Sequence, residues 1–286
     1  MSSTSALYLV ATPIGNLEDV TLRVLRILSE VDLIAAENTG TVRKLLARHN
    51  IRPPRLLSYT EGNKRARTPA ILTALGQGDV ALVSEAGTPG ISDPGVDLVA
   101  AAVAAGHRVE PLPGPSAVTA ALAASGLPTR RFHFEGFLPR TGGPRRRALR
   151  DIAELPATLV LFEAPHRIRA SLGDILTVLG DREIAVCREL TKLYEEIFRG
   201  TVTEAIAHFS APRGEFTLVI SGRQGGKPKP ELNPAIDAEL TRLRAAGVRA
   251  RQAVQEVVEG TGVSRQLVYR RWLELKGASE TNEPVT

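Results

Sequence analysis

The stretch from residue 81 to 95, ALVSEAGTPGISDPG, constrains this chain more than any other. Ala81, Leu82 and Val83 form a short apolar run after the turn signal Gly76-Gln77-Gly78-Asp79, the pattern of a buried parallel strand. Gly87, Pro89, Gly90, Pro94 and Gly95 then shape the backbone within nine residues. Asp93-Pro94 reads as an N-cap followed by proline at the first helical position. The expected helix uses Val96, Val99, Ala100 and Val103 and stops at Gly106. A shaped loop at the carboxyl end of a strand is where open α/β sheets bind ligands. The plainer reading is a tight strand–helix connection.

The rest of the chain repeats the strand–helix alternation. Residues 7–11, 33–36, 56–59 and 109–112 read as further strands, with helical periodicity between them. The first turn, Thr12-Pro13-Ile14-Gly15-Asn16, lacks G-x-G-x-x-G, so it is no dinucleotide-phosphate cradle. Thr39 is the expected cap of the helix after residues 33–36. Pro113 and Pro115 cannot continue a central strand and mark a boundary, after which Ser116 is placed to cap an alanine-rich helix. Strands at 132–137, 158–162, 184–187 and 215–220 renew the alternation. The expected fold is α/β with two domains, 1–113 and 114–222, a Gly/Pro/Lys linker at 223–233, and a small all-helical segment at 234–278. In that segment Ser264 is placed to cap a helix carrying Arg265, Gln266, Tyr269, Arg270 and Arg271. This resembles the reading helix of a helix-turn-helix, or else a small packing appendage anchored by Trp272.

Composition excludes several classes. A single cysteine, Cys187, rules out an internal disulfide and a four-cysteine zinc site, and suits the cytoplasm. The five histidines show no metal-ligand spacing, so no metal is expected. No apolar run approaches the ~20 residues of a membrane span, and MSSTS is not a signal peptide. The net charge of +5 decides little, but its distribution does more. Eight Lys or Arg lie between Arg43 and Arg67 with one acid, Glu61, and five arginines lie between Pro139 and Arg150 with none. Basic loops of this kind suit a phosphate backbone, or else form a solvated surface, and Arg145, Arg146 and Arg147 are the candidates for holding nucleic acid. Arg167 and Arg188 either hold phosphate or pair with acids.

The motifs LVATPIGNLEDVTLR, AAENTGTVRKLL, VSEAGTPGISDPG, PLPGPSAV, FEGFLPR, LFEAPHRI, CRELTKLYEE and GEFTLVI occur in this order over residues 9–220. Together they resemble the tetrapyrrole-methylase superfamily, and within it the branch that methylates a cytidine ribose 2′-oxygen in 16S rRNA of the small ribosomal subunit. The resemblance implies two α/β domains, S-adenosylmethionine in the cleft between them, and a homodimer. It implies cofactor contacts from Pro13, from Ala86, Gly87, Thr88 and Ile91, from Ser116 and Ala117, and from Glu163, Leu190 and Thr217. It also implies that Glu37 sits where related enzymes hold a proton acceptor. The chain departs from the family pattern at Asn38 and Gly40, where Asp and Arg are usual, and at Glu85, where Asp is usual. Another methylase on this scaffold, acting on a tetrapyrrole or other small molecule, is the alternative.

Methyl transfer from a sulfonium to a hydroxyl is an in-line displacement that rests on alignment. A ribose hydroxyl is a poor nucleophile at neutral pH, so a positioned base helps by roughly 10²–10⁴-fold. Glu37 is the candidate base, or else a structural hydrogen-bonding group. Lys192 is the second candidate if burial lowers its pKa, with an ion pair to Glu189, Glu195 or Glu196 as the plainer role.

Overall fold

The computed structural model describes residues 5–52, 54–223 and 232–280, with side chains as far as 275. The expected linker at 223–233 falls almost wholly outside the described residues. The first half is built from β1 (Ala6–Val10), α1 (Leu22–Glu30), β2 (Leu33–Ala36), α2 (Thr39–Arg48), β3 (Arg55–Ser58), α3 (Lys64–Leu75), β4 (Val80–Val83), α4 (Val96–Ala104) and β5 (Arg108–Leu112). All five strands run parallel in the order β3-β2-β4-β1-β5.

Period-two alternation decides which helices pack on which face. Ala6, Tyr8, Val10, Ala81 and Val83 point to one side, where Val24, Ile27 and Leu28 of α1 and Val42, Leu45 and Leu46 of α2 bury them. Leu7, Val80 and Leu82 point to the other, against Ile71 and Leu75 of α3 and Leu98 and Ala102 of α4. The helix after β1 and the helix after β4 therefore lie on opposite faces of two neighbouring strands. A crevice opens at the carboxyl ends of β1 and β4, the topological switch point. Pro111 is tolerated because β5 is an edge strand.

The second half continues with α5 (Ala117–Ser125), β6 (Phe132–Phe137), α6 (Gly142–Ile152), β7 (Thr158–Glu163), α7 (Ile168–Leu179), β8 (Glu183–Arg188), β9 (Glu196–Thr201), α8 (Val202–His208) and β10 (Phe216–Ile220). Its sheet has the order β6-β7-β10-β8-β9 and is mixed: only β6 and β7 are parallel. The simple alternation expected here therefore gives way to antiparallel pairing. The half-buried edge strand β9 and the capping-box helix α8 go beyond the expected elements, because EIFRGT carries two charges and no clean apolar period. Both sheets belong to one compact unit ending at Gly222.

Four local expectations fail for identifiable reasons. The cap of α2 is Asn38, whose Oδ1 accepts from the amides of Gly40 and Thr41; Thr39 is the first helical residue. Asp93 does not cap α4, which begins after Gly95, and α4 buries Leu98 and Ala102 while Val96 and Val103 are exposed. Ser116 stands at the N-cap of α5 but makes no side-chain cap bond. The arginine-rich segment is not a loop but α6, and much of the 43–67 basic run lies on α2 and α3.

From Arg223 the chain forms a second compact unit. It comprises α9 (Pro234–Ala245), α10 (Ala250–Thr261) and α11 (Arg265–Glu280), around a core of Leu240, Val254, Val257, Val268 and Trp272. The Arg244 guanidinium lies 4.3 Å from the Trp272 ring centroid, so the indole is an internal anchor.

Candidate active site

The carboxyl end of the first sheet, the carboxyl ends of β7 and β8 and the amino end of β10 face a cavity of about 550 Å³. The first sheet supplies its wall through a staple between two strand ends. Thr12 donates its amide to the Gly87 carbonyl at 2.9 Å, and Gly87 donates back to Thr12 at 3.0 Å. Gly87 has φ of +74°, a conformation costly for any side-chain-bearing residue. From this loop Ala86, Gly87, Thr88, Ile91 and Asp93 line the cavity, with Glu37 and Glu85 beside them. Ile14 lines it too; the adjacent Pro13 does not.

The acids are held by specific hydrogen bonds. The Glu85 amide donates to Glu37 Oε2 at 3.2 Å, aiming that carboxylate across the end of β4. Asn38 Nδ2 donates to Glu85 Oε1 at 2.9 Å, so two of the three departures from the family pattern, Asn38 and Glu85, are partners. Burial, and then the negative charges of Glu37 and Glu85, push the Asp93 carboxyl up to about 7, against a lowering hydrogen bond from Ser84.

The second half supplies Ser116 and Ala117 at the start of α5, Glu163 from the end of β7, Leu190 after β8, and Thr217 on β10. Glu163 is buried and saturated. It accepts from the Ala164 amide at 2.8 Å, from Arg167 Nε at 2.7 Å, and from the Ser171 hydroxyl. Phe137 and Phe162, with centroids 5.5 Å apart, form an aromatic wall that sequence reasoning misses. Its signal is present in the FEGF and LFE motifs at strand ends. Buried Cys187 also reaches the cavity, and desolvation pushes its thiol up to about 11, so it is neutral.

Gly15 joins the two halves. A Cβ there would come within 2.5 Å of Lys192 Cγ and 2.9 Å of the Leu190 carbonyl oxygen. The neighbouring Asn16 amide donates to Thr191 Oγ1 at 3.0 Å. The segment after β8 thus closes directly on the turn after β1.

The structure corrects several candidates. Lys192 is no base: it does not line the cavity, and its ammonium bonds Glu215 at 2.7 Å and Glu189 at 3.0 Å. Desolvation alone would lower its pKa, but these carboxylates outweigh it and raise it. Arg145 is no phosphate ligand. It is buried, with Nε 2.6 Å from Asp174 Oδ2, and locks α6 to α7. Arg146 shares that aspartate at 3.0 Å. Burial opposes ionisation of Asp174, yet the two guanidiniums hold it below the usual carboxylate range. Arg167 is committed to Glu163, and Arg188 Nε lies 3.1 Å from Glu196 in an ion pair without hydrogen-bond alignment. Arg147 is exposed, with no ion pair among the described residues.

The lining is one-sided in charge. Glu37, Glu85, Asp93, Glu163 and Glu215 contribute carboxyl groups, of which Glu163 is paired with Arg167 and Glu215 with Lys192, and among the described residues no lysine or arginine lines the cavity itself. Apolar surface mixed with carboxylates suits a ligand that is cationic and aromatic, and disfavours a nucleotide phosphate. Among the described residues no cluster of metal-ligating side chains occurs. No described helix is long and apolar enough to cross a membrane.

Residues 6–206 match the family described as Tetrapyrrole (Corrin/Porphyrin) Methylases. A protein of Synechocystis named Ribosomal RNA small subunit methyltransferase I is 47% identical over 279 residues, covering 94% of this chain and 98% of its own length. A Thermotoga maritima protein of the same name is 50% identical over 221 residues, covering 76% of this chain and 99% of its own. Among solved structures, the uroporphyrin-III C-methyltransferase of Thermus thermophilus, complexed with S-adenosyl homocysteine, aligns with a TM-score of 0.53 at 22% identity. That alignment covers 76% of this chain and 97% of that one.

Proposed function

The chain belongs to the tetrapyrrole (corrin/porphyrin) methylases, and within them to the relatives named ribosomal RNA small subunit methyltransferase I, and from this premise we propose that it methylates ribosomal RNA of the small subunit with S-adenosylmethionine. We propose further that the acceptor is the 2′-oxygen of a cytidine in 16S rRNA. The observation that carries the reading is the cavity's acidic, cation-free lining between apolar walls.

When bound, S-adenosylmethionine supplies an electrophilic methyl on a cationic sulfur. The carboxylates of Glu37 and Glu85 favour such a cation in a partly desolvated site. Ile91, Leu190 and the Phe137–Phe162 wall offer surface to an adenine ring. The backbone around Gly87 allows close approach of the methionyl part, with Thr88, Ser116, Ala117 and Thr217 around it. Glu37 takes the proton of the acceptor hydroxyl, its orientation fixed by the Glu85 amide. Exposed Arg147, with Arg43, Arg65 and Arg67, offers charge to the RNA backbone. The homodimer and the cytoplasmic location expected from sequence belong to the same proposal.

The test offers labelled S-adenosylmethionine with small ribosomal subunits lacking the modification, and in parallel with a tetrapyrrole. Label on RNA alone supports the reading; label on the tetrapyrrole alone overturns it. Glu37→Gln is expected to retain cofactor binding by calorimetry while slowing transfer by roughly 10²-fold or more. Near-normal turnover would remove Glu37 as proton acceptor.

A further inference from the structure

The helical unit is not part of the methylase fold. The family match ends at residue 206, and the 221 residues matched by the Thermotoga maritima relative fill 99% of that protein, a span the size of the α/β unit alone. What the unit adds can be read from its surface.

Its arginines divide into two groups. Arg242 is paired with Glu239, Arg271 with Asp237 and Glu274, and Arg244 lies on Trp272. Of these, the Arg271–Asp237 pair and the Arg244–Trp272 contact tie α11 to α9. Arg249, Arg251, Arg265 and Arg270 are exposed and have no ion pair among the described residues. Three of them are close in the fold. Arg249, Arg251 and Arg265 line an open groove of about 650 Å³ between the start of α10 and the start of α11, with Gln252 and Gln255. Two acids, Glu256 and Glu259, line the groove as well, and Gln255 Nε2 donates to Glu259.

Residues three and four apart share one face of a helix. On α11 that places Arg265, Gln266, Tyr269, Arg270 and Leu273 on one exposed strip, while the neighbouring strip of Val268 and Trp272 is buried. Ser264 at the helix start accepts from the Leu267 amide at 3.4 Å, a long cap bond. Unpaired guanidiniums beside an exposed phenol ring combine charge for phosphates with a stacking surface for bases.

We infer that this face of α11, with the adjoining arginine groove, is a second RNA-contacting surface, separate from the residues that surround the methyl-transfer cavity. The inference rests on the reading of RNA as substrate. It assigns the helical unit to affinity and not to chemistry.

The test uses the full chain carrying Arg265→Gln and Arg270→Gln together. Neither side chain belongs to the unit's core, and circular dichroism checks that the helices persist. The probes are small ribosomal subunits and deproteinised 16S rRNA. The slope of log affinity against log salt is expected to fall in magnitude by about 2, roughly one for each phosphate that is no longer neutralised. KM for the subunit rises about tenfold or more, while kcat and cofactor affinity are unchanged. Arg242→Gln removes one positive charge from a paired position and is expected to leave the slope nearly intact.

An unchanged slope and KM in the double variant would overturn the inference. So would a loss about half as large in Arg242→Gln, which would mean that net charge alone matters. A changed sedimentation behaviour with unchanged RNA affinity would make the face a protein contact and likewise overturn it. If the unaltered chain binds RNA through these arginines but transfers no methyl to it, this surface stands and the proposed reaction falls.

Discussion

Replacing Asp93 by Asn should stabilise the protein, and the gain should depend on pH. Asp93 sits half-buried at the cavity, with Glu37 and Glu85 as charged neighbours, and its carboxyl titrates at about 7 against an ordinary 3.8. Because the folded-state value is raised, the folded protein holds this proton more tightly than the unfolded chain does. The group's contribution to stability is greatest below pH 4 and is lost as pH rises through 7. Taken at face value, the gap corresponds to about 4 kcal/mol above pH 7. Asp93 keeps some contact with water, and screening reduces the expected size to about 2 kcal/mol. Asn has the same shape, still accepts from Ser84, and carries no charge. At pH 8, without cofactor, the variant should unfold roughly 4–8 °C higher by calorimetry. At pH 5 the gain should be less than about half of that, because much of the penalty has not yet developed. An equal gain at both pH values, or a loss at pH 8, would refute the claim that Asp93 is held in an unfavourable negative field.

Two further outcomes follow from the same geometry. Asn38→Asp keeps the cap of α2 but sets a second carboxylate against Glu85; it should cost about 1 kcal/mol at pH 8 and almost nothing near pH 4. A similar loss at both pH values in denaturant titrations would point instead to a damaged cap. Arg145→Ala breaks a buried pair with Asp174 and should cost about 3–5 kcal/mol, whereas Arg147→Gln should leave the melting temperature unchanged and reduce the salt slope of RNA binding by about 1. Reversed roles for these two arginines would contradict the packing of α6 on α7.

Much of this arrangement is legible in the residues. The apolar runs of β1 and β4 and the glycines and prolines after β4 point to a ligand site at strand ends, and a cavity opens there. The helical unit beyond residue 233 is visible in its periodicity, and Trp272 serves as its anchor. Other features depend on partners distant in sequence. Arg145 and Arg147 are two residues apart in one basic run, and only the position of Asp174 on α7 separates a buried tie from a free cation. Lys192 reads as a candidate base, and nothing near it in sequence reveals that Glu215, from another strand end, binds it. Asn38 and Glu85 each read as an isolated departure, and the hydrogen bond between them requires the β2–β4 pairing. The strand β9 escapes sequence reasoning because an edge strand with half-buried residues carries little hydrophobic signal.

The most direct measurement identifies the atom that receives the methyl group. Small ribosomal subunits lacking the modification are incubated with the protein and tritiated S-adenosylmethionine, and the rRNA is digested to nucleosides. The label should elute with 2′-O-methylcytidine and map to one nucleotide of 16S rRNA. Label on a base, on ribosomal protein, or on no component of the subunit would contradict the account.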